Sequence, residues 1–246
     1  APVGSVPASP VPFVAGDALK LYAGGRAYYV LAPQAYDATH QTPTQLFIYL
    51  HGCGGASSYD VYAATKFDAT WLGMAPDEPL EGNNPGCWDP NQAGSDEVVM
   101  AALADMKTHF NIDTKRILIG GYSSGGDQSY YTALHHAATF AGVLAYNSTP
   151  AYEDSTLVTQ IANAAWKFNI VHLAHTGDLV YPIECTPSCA DSPGYGGVRK
   201  QFQMLDDAGF PVTYFERPGL HYDDNTTEYR NDLVYPHLQD GWKAPP

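Results

Sequence analysis

The sequence has few cationic side chains. Its 246 residues include 12 Lys and Arg against 26 Asp and Glu, which gives a formal net charge of −14 at pH 7. Proteins that bind nucleic acid or anionic lipid surfaces do so through clustered cations, and this chain has too few to form such a surface. We therefore expect neither nucleic acid nor a membrane as a partner.

Long apolar runs and cofactor motifs are also missing. No run of roughly 18 consecutive apolar residues occurs, so the sequence predicts no membrane-spanning helix. It contains no H-E-x-x-H motif, no EF-hand pattern and no glycine-rich nucleotide loop. We therefore expect neither a metal nor a cofactor.

The composition is that of a globular protein. Hydrophobic residues make up 45% of the chain, and its length suits one sizeable core without an internal repeat. We interpret residues 1–246 as a single α/β domain and expect a monomer. Residues 1–14 are proline-rich, and the sequence begins with Ala rather than Met. This favours an extended mature terminus left after removal of a signal peptide, although an engineered truncation would look the same.

Cysteine is scarce but even in number. Cys53, Cys87, Cys185 and Cys189 show no C-x-x-C pair and no zinc-type spacing. We favour two disulfides in a secreted protein, with buried free thiols in a cytosolic protein as the alternative. Of the three possible pairings we prefer Cys53–Cys87 and Cys185–Cys189, because the second pair can close a small proline-containing loop.

Strand and helix patterns alternate along most of the chain. Two strand-like runs flank Gly24 and Gly25, which predicts an antiparallel hairpin, and apolar runs begin the alternation at residue 45. This order predicts a mostly parallel sheet with helices on both faces. Functional loops in such sheets follow the carboxyl ends of the strands.

The sequence predicts three helices with defined bounds, and for two of them it predicts which residues share one face. The clearest lies within residues 94–110, with Ser95 as its N-cap and an apolar face of Val99, Ala102, Leu103, Met106 and Phe110. A second, in residues 127–139, has Tyr131, Leu134 and Ala138 on one face. The last helix is predicted through residues 226–238.

The segment Gly121-Tyr122-Ser123-Ser124-Gly125 matches G-x-S-x-G between an apolar strand and a predicted helix. That context is typical of a nucleophile elbow, in which a strained turn exposes the middle serine and small neighbours prevent backbone collisions. The spacing selects Ser123 as the nucleophile. Ser124 would need glycine at position 122, where tyrosine stands.

A serine nucleophile needs a histidine base and a carboxylate that holds it, in the chain order Ser, acid, His. Asp178 follows one predicted strand and His221 follows the last one, so both belong to the same sheet edge as Ser123. Other candidates are treated as structural or solvated side chains: the bases are His135, His136, His175 and His237, and the acids are Asp191, Asp223 and Asp224.

The oxyanion of an acyl-transfer intermediate needs two backbone N–H donors. We assign one to Ser124, directly after the nucleophile, and the other to Cys53 in the loop "HGCGG". A simple glycine turn is the alternative for that loop. A Cys53–Cys87 disulfide would stiffen it.

Together these motifs resemble the secreted α/β-hydrolases of the extracellular polyhydroxybutyrate depolymerase type and the related feruloyl and acetylxylan esterases. The resemblance rests on "YLHGCGG", "GCWD", "FNIDTKRILIGGYSSGG", "HTGDLVYP" and "PGLH", within residues 45–222. It implies an α/β-hydrolase fold, the Ser123, Asp178 and His221 triad, and an ester substrate. Trp88 is expected at the substrate cleft through this resemblance, with a core aromatic as the alternative, and Tyr122 is expected to contact substrate beside the nucleophile.

The resulting hypothesis is a secreted serine carboxylesterase acting on a polyester or on feruloyl or acetyl esters of plant cell walls. A serine peptidase with the same triad and a binding module on a hydrolase scaffold are the alternatives. The sequons at Asn147 and Asn225 follow strand ends near the predicted site, where a glycan would obstruct it, so we expect neither to be used.

Overall fold

A computed structural model describes residues 3–63, 69–79, 86–185, 189, 194–223 and 245–246. Within them, eight strands form one sheet in the order β1-β2-β4-β3-β5-β6-β7-β8. The strands are β1 Ala18–Ala23, β2 Arg26–Leu31, β3 Thr44–Leu50, β4 Leu72–Pro76, β5 Ile112–Tyr122, β6 Gly142–Tyr146, β7 Asn169–His175 and β8 Val212–Arg217.

The sheet combines an antiparallel edge with a parallel body. β1 pairs antiparallel with β2, and β2 with β4, whereas every later pairing is parallel. Gly24 and Gly25 join the hairpin with φ of 58° and 84°, the left-handed pair that a two-residue turn requires. The predicted hairpin and mostly parallel sheet are confirmed.

The described helices follow the predicted order. They are α1 Ser57–Asp60, α2 Ser95–His109, α3 Ser124–His135, α4 Asp154–Asn163 and α5 Val198–Asp207, with a short 3-10 turn at Ala137–Thr139. The helix predicted through residues 226–238 lies outside the described residues.

Both faces of the sheet are buried, as the alternation along β3 shows. Leu46 and Ile48 join a core cluster that includes side chains from α2 to α5, whereas Phe47 and Tyr49 join a cluster on the opposite face. On that second face Val61, which caps α1, packs against neighbouring strands. Helical residues therefore cover both faces, as predicted.

The apolar face of α2 is confirmed, but its predicted cap is wrong. Gly94 is the N-cap, in a left-handed conformation with φ of 78°, and Ser95 is the first helical residue. The hydroxyl of Ser95 is buried and makes no hydrogen bond within the described part of the chain. Glycine adopts this left-handed conformation without steric conflict, and it has no side chain that could cap the helix.

Of the three residues predicted to share one face of α3, only Leu134 is buried. Tyr130, Ala133 and Leu134 are buried, whereas Tyr131 is half-buried and Ala138 is exposed. The helix begins at Ser124 and ends at His135, so the regular 3.6-residue repeat does not extend to Ala138 in the 3-10 turn.

Residues 3–14 form no helix or strand. The segment is held by hydrogen bonds of its own backbone. The amide of Val3 donates to the Asp113 carboxylate, the carbonyl of Val3 accepts from the Thr114 amide, and the amide of Ser9 donates to the Thr108 carbonyl. These contacts fasten the extended segment beside the start of β5 and the end of α2.

Four strand ends meet at the carboxyl edge of the parallel strands. The loop at residues 51–55 follows β3, Ser123 follows β5, Asp178 follows β7, and His221 follows β8. The fold therefore brings side chains that are far apart in sequence to one edge. No described helix is both long and apolar enough to cross a membrane.

Ile48 provides a test of the core. Its side chain is fully buried in central strand β3, so Ile48→Ala should lower the free energy of unfolding by about 2–5 kcal/mol. Val158→Ala, at an exposed position of α4, is the control and should change it by less than about 0.5 kcal/mol. Urea unfolding measures both, and equal effects would contradict this core assignment.

Candidate active site

Ser123 occupies the tight turn between β5 and α3. Its φ of 55° and ψ of −129° lie where L-residues are rarely found. A Cβ on Gly121 would lie 2.3 Å from the Leu50 carbonyl oxygen, and one on Gly125 would lie 2.1 Å from it. Both glycines of the motif are therefore sterically required for this turn.

The structure brings the three predicted triad residues together. His221 Nε2 lies 3.1 Å from Ser123 Oγ, and His221 Nδ1 lies 2.8 Å from Asp178 Oδ2. All three residues are buried. A neutral imidazole that donates from Nδ1 to the carboxylate presents Nε2 as an acceptor for the serine proton.

Asp178 is held in its ionised form by hydrogen bonds. Its Oδ1 accepts from the amides of Val180 and Tyr181, at 2.8 and 3.0 Å, while Oδ2 faces His221. Burial alone would raise the pKa of Asp178, but hydrogen bonds from His221 and these amides outweigh burial and lower the pKa below its usual value.

The backbone of His221 is fixed by two side chains. Its carbonyl accepts from the Tyr122 hydroxyl at 2.7 Å and from Asn147 Nδ2 at 2.9 Å. Asp223 closes the same turn by accepting from the Leu220 amide at 2.8 Å. The histidine loop is therefore attached to the ends of β5 and β6.

The half-buried Tyr122 contacts the histidine loop. Its ring centroid lies 5.1 Å from that of His221, and its hydroxyl donates a hydrogen bond to the His221 carbonyl. The structure thus places Tyr122 as a support for the base. Substrate contact by its ring stays a prediction.

Ser124 and Cys53 lie next to one another at the candidate oxyanion site. Ser124 is the first residue of α3, so its N–H precedes the intrahelical hydrogen bonds and points from a positive helix end. Ser124 Oγ lies 3.4 Å from Cys53 Sγ, and the hydroxyl must donate because the sulfur is in a disulfide.

The loop that carries Cys53 is braced from two sides. The amide of Gly54 donates to the Gly86 carbonyl at 2.8 Å, beside the Cys53–Cys87 disulfide. His51 contacts the Gly52 carbonyl through Nδ1 and Glu78 through Nε2, at 2.9 and 3.0 Å. Both partners are acceptors, and their hydrogen bonds raise the pKa of His51 although burial opposes this.

Both preferred cysteine pairs are present as disulfides. Cys53 pairs with Cys87, and Cys185 pairs with Cys189. The second pair lies in the segment between the candidate acid and base. No cysteine is free.

Trp88 is placed in the core. Only 2% of its surface is exposed, and its ring centroid lies 6.1 Å from that of His51. An indole enclosed in this way packs the base of the loop that follows β3. The placement favours the alternative interpretation of Trp88 as a core aromatic over direct substrate contact.

The competing bases and acids occupy other surroundings. His135 and His136 both contact Asp96, and His175 is buried at the end of β7 beside Gly219. Asp223 serves the turn described above. His237, Asp191 and Asp224 lie outside the described residues.

Sequence reasoning missed Asp127. It lies one turn into α3, and its buried carboxylate accepts from the Thr149 amide, the Tyr152 hydroxyl and the Tyr181 hydroxyl. An acidic residue in the first helical turn is ordinarily explained by the helix dipole and solvent. Its position four residues after Ser123 was the available signal, since this spacing puts both on one side of the turn.

No group of three or more His, Cys, Asp or Glu side chains in the described ranges is arranged to hold a metal ion. The site consists of a serine, an imidazole, carboxylates and backbone amides.

Comparisons with known proteins identify the fold. No protein-family model matches the chain. It is 23% identical to the probable acetylxylan esterase A of Aspergillus niger and to acetylxylan esterase A of Aspergillus ficuum, covering 70% of this chain and 59% of each relative. The chain thus spans less than two thirds of the length of these relatives.

Solved structures agree on the architecture. Esterase PE8 matches with a TM-score of 0.61 and 17% identity, covering 83% of this chain and 97% of that one. A ferulic acid esterase matches at 0.58 and 14%, covering 87% and 93%. The acylaminoacyl peptidase of Pyrococcus horikoshii matches at 0.65 and 11%, covering 93% and 42%. The chain has the α/β-hydrolase fold, as predicted.

Asn147 gives a test of the site's interior. The residue is 1% exposed, has a positive φ of 48° and donates to the His221 carbonyl, so the folded protein has no room for a glycan on this side chain. Expression in a glycosylating host should leave Asn147 unmodified. Mass spectrometry of the peptide checks this, and a glycan at Asn147 would contradict the described packing.

Proposed function

We propose that this chain is a serine carboxylesterase that works through an acyl-enzyme. The observation that carries the proposal is the continuous hydrogen-bonded series from Ser123 through His221 to Asp178 at the end of a strained elbow. A serine hydroxyl becomes a nucleophile at neutral pH when such a base accepts its proton.

Acylation begins when Ser123 Oγ attacks the ester carbonyl carbon and its proton passes to His221 Nε2. The carbonyl π pair moves onto oxygen, and the amides of Ser124 and Cys53 are proposed to stabilise that oxyanion. The intermediate then collapses, the bond to the alcohol oxygen breaks, and Nε2 returns the proton to the leaving alcohol. Asp178 holds the ring orientation and stabilises the imidazolium.

Deacylation repeats these steps with water. A water molecule gives a proton to Nε2 as its oxygen attacks the acyl carbon. The bond between that carbon and Ser123 Oγ then breaks, and Oγ recovers its proton. The carboxylic acid leaves, and the free serine is restored.

For the substrate we propose esters of small acyl groups on cell-wall polysaccharide, of the acetyl or feruloyl kind, with an aliphatic polyester as the other candidate. The similarity to acetylxylan esterases supports the first choice. Exposed apolar side chains flank the acid and the base and suit an apolar group beside the ester: Leu179, Val180, Leu220 and Tyr222.

We also propose an extracellular location. The two disulfides suit an oxidising compartment, where such bonds persist.

The net negative charge of the chain favours a neutral substrate, because an anionic polymer would be repelled.

A substrate panel tests the reaction class. It contains p-nitrophenyl acetate and butyrate, methyl ferulate, acetylated xylan, a polyhydroxybutyrate film and a p-nitroanilide amide. We expect turnover of the aryl esters and of acetylated xylan or ferulate, and little of the amide. Turnover of the amide alone would favour a peptidase, and no turnover of any substrate would favour a binding module.

The two serines should respond differently to substitution. Ser123→Ala removes the nucleophile and should lower kcat/KM by about 10³-fold or more. Ser124→Ala is the matched control, because it keeps the backbone N–H, and it should stay within about tenfold of the wild type. Steady-state kinetics with p-nitrophenyl acetate measures both. Equal losses in the two variants would contradict the assignment of Ser123.

A further inference from the structure

A second carboxylate is buried directly beneath the candidate nucleophile. Asp127 is 2% exposed, and its backbone amide donates to the Ser123 carbonyl at 3.1 Å. Its Oδ1 accepts from the Thr149 amide at 2.8 Å, and its Oδ2 accepts from the hydroxyls of Tyr181 and Tyr152 at 2.5 and 3.0 Å. Among the described residues no Lys or Arg forms an ion pair with it.

Tyr181 links this carboxylate to the candidate triad. Its amide donates to Asp178 Oδ1, its ring centroid lies 5.6 Å from that of His221, and its hydroxyl donates to Asp127. Burial raises the pKa of Tyr181 well above its usual value, and interaction with the Ser123 side chain acts in the opposite direction. Tyr181 thus contacts Asp178, His221 and Asp127.

We propose that Asp127 is a positioning residue that acts on Ser123 and His221 through Tyr181, and that the site is active when Asp127 is ionised. The inference rests on the proposed esterase function and assigns a further residue to it. Asp127 touches no reacting atom itself.

The hydrogen-bond directions explain why the ionised form should be active. When Asp127 is a carboxylate, the Tyr181 proton is committed to it, so the tyrosine cannot donate to Ser123 Oγ. When Asp127 is protonated it becomes a donor, and the Tyr181 proton is free to turn toward Ser123 Oγ. That bond would occupy one of the two lone pairs of Oγ and make the oxygen a weaker nucleophile.

Charge acts in the same direction. The positive form of His221 lowers the pKa of Asp127, and electrostatic interaction is mutual, so the carboxylate stabilises the imidazolium that forms during acylation. The effect is strong in a buried site, where water does not screen it.

Most ionisable groups around Asp127 do not change their charge near neutral pH. Burial raises the pKa of Tyr152, Tyr181 and Tyr195, and the pKa values of Asp154 and Asp178 are lowered, so these five keep their charge state. Asp89 acts on Tyr152 electrostatically, and Glu153 lines the pocket of about 190 Å³ that Asp127 and Tyr152 border. Burial raises the pKa of Asp127 itself to about 7, against the opposing hydrogen bonds of Tyr181, Thr149 and Tyr152.

This shift has a definite sign for stability. A carboxyl whose pKa is raised on folding binds a proton more tightly in the native state, so it favours the native state at low pH. The advantage is lost as pH rises through about 7. Removing the charge should therefore help stability at alkaline pH more than at acid pH.

The experiment compares Asp127→Asn with Asp207→Asn, which removes the same charge from the exposed end of α5. The pH dependence of kcat and KM is measured from pH 5 to 9 with p-nitrophenyl acetate. Asp127→Asn should lower kcat at pH 8 by about 10- to 100-fold, with little change in KM, and should shift the acid limb to lower pH by about one unit. The difference in Tm between Asp127→Asn and the wild type should be more favourable to the variant at pH 8 than at pH 5. Asp207→Asn should show none of these changes.

Tyr181→Phe is the second variant, in case Asp127→Asn folds poorly. It removes one hydroxyl and keeps the ring against His221, so it should reproduce the shift of the acid limb. The double variant should be no slower than the slower single variant, because both changes break one linkage. A wild-type pH profile in both single variants, or a uniform loss of activity without a pH shift, would overturn the proposal.

The two proposals fail separately. If Ser123→Ala is inactive while Asp127→Asn keeps the wild-type pH profile, only the role of Asp127 is wrong. If Ser123→Ala retains turnover, the esterase mechanism itself is wrong.

Discussion

The site depends on a close backbone approach between the end of β3 and the turn after β5. The Leu50 carbonyl oxygen occupies the space that a Cβ on either Gly121 or Gly125 would need. Only glycine therefore fits on either side of this turn, and Ser123 between them has the unusual φ of 55°. Such a conformation persists only where the surroundings determine it, and here β3, β5 and α3 all do so.

The remaining parts of the site are arranged around the position that this turn gives to Ser123 Oγ. β7 delivers Asp178, and the loop after β8 delivers His221 on the same side. The His221 carbonyl is tied to Tyr122 and Asn147, so the histidine is fixed by the strands next to the serine. Buried polar groups of this kind are costly unless each finds a partner, and their partners here come from neighbouring strand ends.

The parts of the molecule that could be read from sequence are those set by local pattern or by strand order. The elbow is a five-residue motif, and Asp178 and His221 follow strands whose ends must share one edge in a parallel sheet. Features that depend on packing could not be read in this way. Ser95 is a suitable cap by type, but Gly94 takes the left-handed turn, and Trp88 lies within a core that no short motif describes.

Asp127 shows the same limit most clearly. Its spacing from Ser123 puts both residues on one side of the turn, but only the fold shows that α3 carries this carboxylate inward toward Tyr152 and Tyr181. These partners lie 25 and 54 residues away along the chain. Interactions over such separations are set by topology, so sequence spacing gives no sign of them.

The most direct test of this account is covalent labelling of the nucleophile by an organophosphonate ester, with mass spectrometry of the labelled peptide. Residues 116–134 hold both serines of the elbow, so fragmentation distinguishes Ser123 from Ser124. The account predicts one phosphonate per chain, on Ser123, with loss of ester turnover in proportion to labelling. A label on Ser124, or full turnover after complete labelling of Ser123, would contradict it.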